Sequence, residues 1–211
     1  MKIGSGLSYA RLIESLARME IEKVELFIEN SKAQFQKKNI EIDQAFSSIS
    51  RSQFLSDFDF NSYVDTFADE AYMLKEVLNL SEQLAVVALY RIVEIRTTTA
   101  LSMFGNKAKQ KKRIFKSNEI TNVLKSDFGI KMSLLKHYNV IDELRLINNT
   151  IKHSGEVSKQ LYKYGWNQND KLEISSTKLE NFINKIPEYI YDFVDKLSIA
   201  SSSLVKLKPN K

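Results

Sequence analysis

The spacing of apolar residues along the chain predicts a protein built almost entirely of helices. From about Leu7 to Lys38, apolar residues return at steps of three and four with Glu and Lys between them, which is the pattern of one long amphipathic helix. Between residues 40 and 60 the pattern loosens into stretches rich in serine and aspartate, so we expect a short helix and a junction there.

The remaining chain predicts the helices of a bundle. Helical spacing resumes over residues 63–80, with Ser81 as an N-cap or a bend. The segment 84–95 is apolar nearly all round, so we expect it to be the central and most buried helix, ended by Gly105. Further helices are predicted over residues 117–129, 133–154, 157–164 and 177–204, the last with a kink at Pro187.

These elements predict an all-α, up-and-down helical bundle with an extra long N-terminal amphipathic helix. We expect residues 1–60 to form the N-terminal helical extension and residues 61–211 to form the bundle. A chain of 211 residues that is 43% hydrophobic can build one substantial core without disulfides or metals. Two large independent domains are therefore not expected.

Composition narrows the chemistry and the location. Cysteine is absent, which excludes disulfides and thiolate metal sites, and two histidines alone predict no metal site and no cofactor. The longest apolar run, LAVVALY, is too short to cross a bilayer and the N-terminus lacks a signal-peptide pattern, so we expect a cytoplasmic protein with no membrane contact.

The most informative segment is IDELRLINNTIKHSG, residues 141–155. On a helix, one face would be apolar and would pack in the core: Val140, Leu144, Ile147 and Ile151. The opposite face would be polar: Asp142, Arg145, Asn149 and His153.

A guanidinium and an imidazole on one face suit the cleavage of an RNA phosphodiester by its own 2′-hydroxyl, because the first binds phosphate oxygens and the second titrates near neutral pH. A structural interpretation is equally simple. Asp142 and Arg145 form the weak ion pair of a solvated helix face, and Asn149 and His153 cap the helix end.

The segment LRLINNTIKHSG, preceded by ALYRIVEIRTTTAL, resembles the HEPN superfamily over residues 63–197. In that family, an Arg-Asn-x-x-x-His motif near the end of a core helix meets its copy across a homodimer and makes a metal-independent ribonuclease site. The resemblance makes His153 the motif histidine and Asn149 its polar residue. This chain departs from the motif, since Asn148 stands where the arginine belongs and the nearest arginine is Arg145, one turn earlier.

Two functions follow as hypotheses. In the first, a HEPN-like homodimer acts on RNA: His153 is the general acid or base, Arg145 stabilises the charge of the phosphorane, Asn149 orients the phosphate and Asn148 supports them. The resemblance implies a place in a toxin-antitoxin or antiphage system. In the second, the chain is a non-catalytic helical module that dimerises or binds a cognate protein, as the long N-terminal helix suggests.

A basic connector, residues 106–116, is the clearest positive segment, although the net charge of the chain is only +5. We expect it to hold an RNA backbone, with a solvated loop as the alternative. The residues expected to bind nucleic acid are Lys107, Lys109, Lys111, Lys112, Arg113, Lys116 and, on the motif segment, Lys152.

Arg91 and Glu94 lie within the apolar segment 84–95, where an unpaired buried charge would be costly. Either they point outward or they are paired within the core. A sharper hypothesis pairs Glu94 with Arg145, within about 4 Å, as a support that orients the arginine.

Overall fold

The computed structural model describes residues 6–104, 117–153, 156–167 and 170–206, and these form an all-α bundle. The prediction of an all-α helical bundle is confirmed. Its five α-helices are α1 (Gly6–Ser47), α2 (Asp57–Phe104), α3 (Ser117–Phe128), α4 (Tyr138–His153) and α5 (Ser176–Lys206). Short 3-10 helices lie at Arg51–Gln53, Met132–Leu134 and Lys159–Tyr164. The described residues contain no strand, only an isolated bridge between Glu156 and Lys171.

Helix α5 carries the most buried face of the bundle, because it packs against α1, α2 and α4 at once. Its buried apolar residues are Leu179, Phe182, Ile186, Tyr189, Ile190, Phe193, Val194 and Leu197. The prediction that the segment 84–95 would be the most buried is wrong, since Leu84 and Ile95 at its two ends are exposed. The segment is apolar on nearly all sides, but other helices surround only part of the circumference of α2. Only part of the segment is therefore buried.

The first half of α1 belongs to the bundle core. Apolar side chains at steps of three and four are buried against α2 and α5: Ala10, Ile13, Ala17, Ile21, Val24 and Ile28. Helices α1 and α2 run antiparallel, with Tyr9 against Phe104 and an ion pair of 2.6 Å between Glu20 and Arg96. The structure therefore places part of the expected N-terminal extension inside the bundle.

The second half of α1 and the first half of α2 continue beyond this core as a two-helix arm, residues 29–47 and 57–80. None of residues 29–80 is buried. Helix α2 runs through Ser81, so Ser81 is not the N-cap of a new helix, and its hydroxyl donates to the Val77 carbonyl at 2.9 Å within the helix. The tip of the arm is closed by contacts between aromatic rings of Phe46, Phe54, Phe60, Tyr63 and Phe67.

Local signals set several helix ends. Helix α3 ends as predicted before Gly129, whose φ of 67° is left-handed and lets the Ile130 amide donate to the Leu124 carbonyl at 2.9 Å. Helix α5 runs through Pro187. Gly105, expected to end α2, lies outside the described residues. No helix in the described parts of the chain is long and apolar enough to cross a membrane.

Replacing Phe182, which is fully buried on α5, tests the central place of this helix. We expect Phe182→Ala to lower the free energy of unfolding by about 3 to 5 kcal/mol, since it removes apolar contacts and leaves a cavity. Urea unfolding followed by circular dichroism measures the loss. The matched control is Phe58→Ala on the exposed arm, which should change stability by less than about 0.5 kcal/mol. Equal losses in both variants would contradict the assignment of the core.

Candidate functional site

Helix α4 holds the predicted site residues. It begins at Tyr138, one residue after His137, whose φ of 58° turns the chain into the helix. Leu144 and Ile147 of the predicted apolar face are fully buried, and Val140 and Ile151 are half-buried. Burial extends further round the helix than the apolar pattern predicts, because polar residues beside this face are also buried: Asp142, Glu143, Asn148 and Thr150.

Asp142 accepts hydrogen bonds from three side chains although only 7% of its surface is exposed. Arg145 donates to its Oδ1 through Nε and Nη2, at 3.1 and 2.7 Å. Lys163 Nζ and Tyr164 Oη donate to its Oδ2, each at 2.8 Å. The Asp142–Arg145 pair is thus part of a buried network and not the weak pair of a solvated face.

The charges of this network follow from its geometry. Burial acts to raise the pKa of the Asp142 carboxyl, but the hydrogen bonds from Lys163, Arg145 and Tyr164 outweigh it, so the pKa lies below its ordinary value. Burial, and then the bond to Asp142, raises the pKa of Tyr164 to about 12. At neutral pH the network therefore holds one carboxylate and two cations, which leaves it one positive charge.

The neighbouring carboxylate, Glu143, connects α4 to two other parts of the chain. Its Oε1 accepts from Trp166 Nε1 at 2.7 Å and from Lys178 Nζ at the beginning of α5. The Lys178 ammonium also lies 5.3 Å from the centre of the Trp166 ring. Sequence reasoning missed Glu143, Lys163, Trp166 and Lys178. Their partners are 21 to 35 positions away along the chain, so no local spacing signals them.

The structure brings Arg145, Asn149 and His153 onto one side of α4, at successive steps of one turn. We call these three residues, with Lys152, the α4 ridge. Asn149, Lys152 and His153 are exposed, and the Arg145 side chain is 26% exposed. At 1.5 Å per residue the ridge is about 12 Å long from Arg145 to His153. Asn148 lies elsewhere, since it is buried and its Oδ1 has no hydrogen-bond partner among the described residues.

The structure corrects the predicted pairing of Glu94 with Arg145. Glu94 Oε2 lies 3.6 Å from Nη1 of Arg91 on its own helix, and Arg145 pairs with Asp142. No ion pair within 4.0 Å joins Glu94 to Arg145 in the described residues. The two side chains still line the same small cavity between α2, α4 and α5.

That cavity has a volume of about 30 Å³, which is room for about one water molecule. Tyr90, Tyr138 and Tyr189 line it together with Asp142 and Arg145. The Tyr189 hydroxyl is fully buried and has no hydrogen-bond partner among the described residues, and burial raises its pKa. Burial, followed by the charge of Glu94, raises the pKa of Tyr90 to about 12. Tyr90 and Tyr189 are therefore neutral, and the space suits a water more than a substrate.

The basic connector lies outside the described residues, and so do Ser154 and Gly155 at the end of the motif segment. The predicted nucleic-acid contacts concerned are Lys107, Lys109, Lys111, Lys112, Arg113 and Lys116. In the described parts of the chain, no group of three or more His, Asp or Glu side chains could hold a metal ion.

Comparisons with protein-family models, with curated proteins and with solved structures found no match to this chain.

Replacing Asp142 by Asn tests the network. We expect Asp142→Asn to lower the free energy of unfolding by about 2 kcal/mol, because an amide cannot accept all the bonds that the carboxylate accepts. Since the pKa of the Asp142 carboxyl in the folded protein lies below 3.8, the carboxylate contributes its full stabilisation above that pH. This stabilisation is lost as the pH falls through the pKa of the folded protein. The difference between the protein and the variant should therefore narrow below about pH 3.8 in urea unfolding.

Glu14→Gln is the matched control, because it removes the carboxylate of the surface pair Glu14–Arg18 on α1. Its effect should stay below about 0.5 kcal/mol. If Asp142→Asn lowers the free energy of unfolding by no more than Glu14→Gln does, the buried network does not stabilise the fold.

Proposed function

We propose that the protein binds single-stranded RNA along the α4 ridge and cleaves it without a metal ion. The observation that carries this proposal is that Arg145, Asn149 and His153 follow one side of α4 and that Asn149 and His153 are exposed to solvent. A polyanion can therefore approach the motif residues from solvent. The resemblance of the motif segment to the HEPN superfamily supports RNA as the substrate class.

Arg145 suits the binding of a phosphate. A guanidinium has five N–H donors. Asp142 accepts one hydrogen bond from Nε and one from Nη2, so three N–H donors of Arg145 remain for a phosphate. The net positive charge of the Asp142 network attracts an anion to the same place. Lys152 adds a cation at the other end of the ridge. A ridge of about 12 Å is long enough to contact more than one phosphate of a strand.

His153 suits the chemical step. In the proposed reaction it takes the proton of a 2′-hydroxyl, whose oxygen then attacks the neighbouring phosphorus and expels the 5′-oxygen, or it returns a proton to that leaving oxygen. Asn149, one turn away, can orient the same phosphate. The Arg145 guanidinium is turned toward Asp142, away from His153, and so holds a neighbouring phosphate in this arrangement.

Cleavage of single-stranded RNA in the presence of EDTA tests the proposal. We expect cleavage to survive chelation and to fall by about 10² to 10⁴ in His153→Ala, because general acid-base catalysis contributes factors of that size. The control is His137→Asn, which removes the other histidine, bonded to Glu188 at 2.8 Å, and puts a residue that tolerates the left-handed φ in its place. Cleavage that needs a metal ion, or that persists in His153→Ala, would contradict the catalytic part.

Salt dependence tests the binding part separately. The logarithm of the affinity for single-stranded RNA should fall linearly with the logarithm of salt, with a slope of about −0.7 for each phosphate neutralised. Lys152→Gln should weaken binding and reduce that slope by about 0.7, as measured by fluorescence anisotropy between 50 and 300 mM salt. Lys38→Gln, on the arm, should leave both unchanged. An affinity independent of salt would exclude backbone binding by the ridge.

A second candidate function, a helical module for binding between proteins, is favoured by the arm. None of residues 29–80 is buried, and the arm exposes many large apolar side chains. Contiguous exposed apolar surface is typical of interaction sites.

A further inference from the structure

The arm contains two long helices but no core of its own. Residues 29–47 and 57–80 contact each other along one side, and α5 does not accompany them, since it begins at Ser176, where Lys32 Nζ contacts the Ser176 hydroxyl at 2.7 Å. Helices in water owe most of their stability to the packing of an apolar face. A helix pair of this length without one buried side chain therefore has an unfilled packing surface.

That surface has the pattern of a coiled-coil seam. Four apolar residues of α2 follow one another at steps of four, three and four and are each 50–67% exposed; we call them the α2 seam: Met73, Val77, Leu80 and Leu84. Alternating steps of three and four keep side chains on the line along which a second helix packs.

The groove between α1 and α2 borders this seam. One part of the groove has a volume of about 410 Å³ and is lined by Met73 and Val77 of the seam with Ile42 and Phe67. The next part has about 380 Å³ and reaches from Val77 to Phe35 and Phe27 on α1. A helix laid on the seam would therefore also cover the groove.

The charges around the seam suit a second copy of the same chain, placed antiparallel. Residues 52–74 contain five acidic residues and no basic one. Arg91 lies one heptad after Leu84 at the other end of the seam and is exposed, and among the described residues its ion-pair contact is with Glu94 at 3.6 Å. Two seams related by a two-fold axis between Val77 and Leu80 would set Arg91 opposite Thr66, within one turn of Asp69 and Glu70 of the other copy. A parallel pairing would instead set the acidic segments against each other, which costs energy.

We propose that the α2 seams of two copies pair antiparallel, so that residues 66–76 in the arm of each copy lie against residues 81–91 of the other copy. In this register Met73 packs against Leu84 of the second copy and Val77 against Leu80. From Thr66 to Arg91 the contact runs for about 38 Å at 1.5 Å per residue. The inference is independent of the RNA proposal, since it uses none of the residues of the α4 ridge.

The oligomeric state tests the pairing. Sedimentation velocity of the full chain between 1 and 200 µM should show a dimer, and the double variant Val77→Glu with Leu80→Glu should weaken dimerisation at least 100-fold. Both positions are exposed in one copy, so the helical circular dichroism of the variant should be retained. The control places glutamate at Leu134 and Ile199, which are 71% and 60% exposed but lie outside the arm, and it should remain dimeric. A monomer at all concentrations, or a dimer that survives the seam variant, overturns the proposal.

Charge reversal tests the orientation. Arg91→Glu should weaken the dimer about tenfold, and adding Asp69→Lys and Glu70→Lys to it should restore the affinity. A triple variant weaker than Arg91→Glu alone would overturn the antiparallel pairing.

Cross-linking tests the register, and the chain suits it because it has no cysteine. Met73→Cys alone should not form a disulfide, because residues 73 and 84 are eleven positions apart, so the two copies of residue 73 lie about 16 Å from each other along the axis. A mixture of Met73→Cys and Leu84→Cys should form a disulfide between the two variants. A disulfide between two copies of Met73→Cys would overturn the proposed arrangement.

Discussion

Burial of the apolar face of α5 is the interaction on which the rest of the structure depends. Phe182, Tyr189 and Phe193 are buried on the side of α5 that packs against α1, α2 and α4, and the buried core extends only as far as α5 lies beside the other helices. Beyond its first residue, Ser176, α1 and α2 continue as the arm without a core. The same contact fixes α4, because Leu144 and Ile147 pack into this core and turn the Arg145 side toward solvent. The two candidate surfaces are thus consequences of where one helix begins and which helices it touches.

Much of the fold was predictable from periodicity. The helical character of the chain, the end of α3 at Gly129 and the helix that carries the motif segment all follow from local pattern, since each depends on neighbours within a few positions. The most buried helix did not follow. The segment 84–95 is more uniformly apolar than α5, yet Leu84 and Ile95 are exposed. Burial depends on how many other helices surround a helix, and composition does not contain that number.

The site was predictable to a lesser degree. Two steps of four residues put Arg145, Asn149 and His153 on one side of a helix, and the structure has them there. The buried carboxylates were not predictable, because Asp142 and Glu143 are polar by type and are buried only through donors from Lys163, Tyr164, Trp166 and Lys178. The partner of Glu94 was also misassigned. An i,i+3 neighbour on the same helix, Arg91, was available without any tertiary contact.

The continuity of α2 joins the arm to the tyrosine-lined cavity in the bundle. The helix runs for 48 residues, from Asp57 to Phe104. The hydroxyl of Ser81 donates to the Val77 carbonyl of the same helix, and the helix continues through this position. Leu84 of the seam and Tyr90 of the tyrosine-lined cavity are therefore about 9 Å apart on one unbroken rod. Tyr90 and Glu94 line the same cavity as Asp142 and Arg145, so one continuous helix carries both the seam and a wall of the Arg145 cavity.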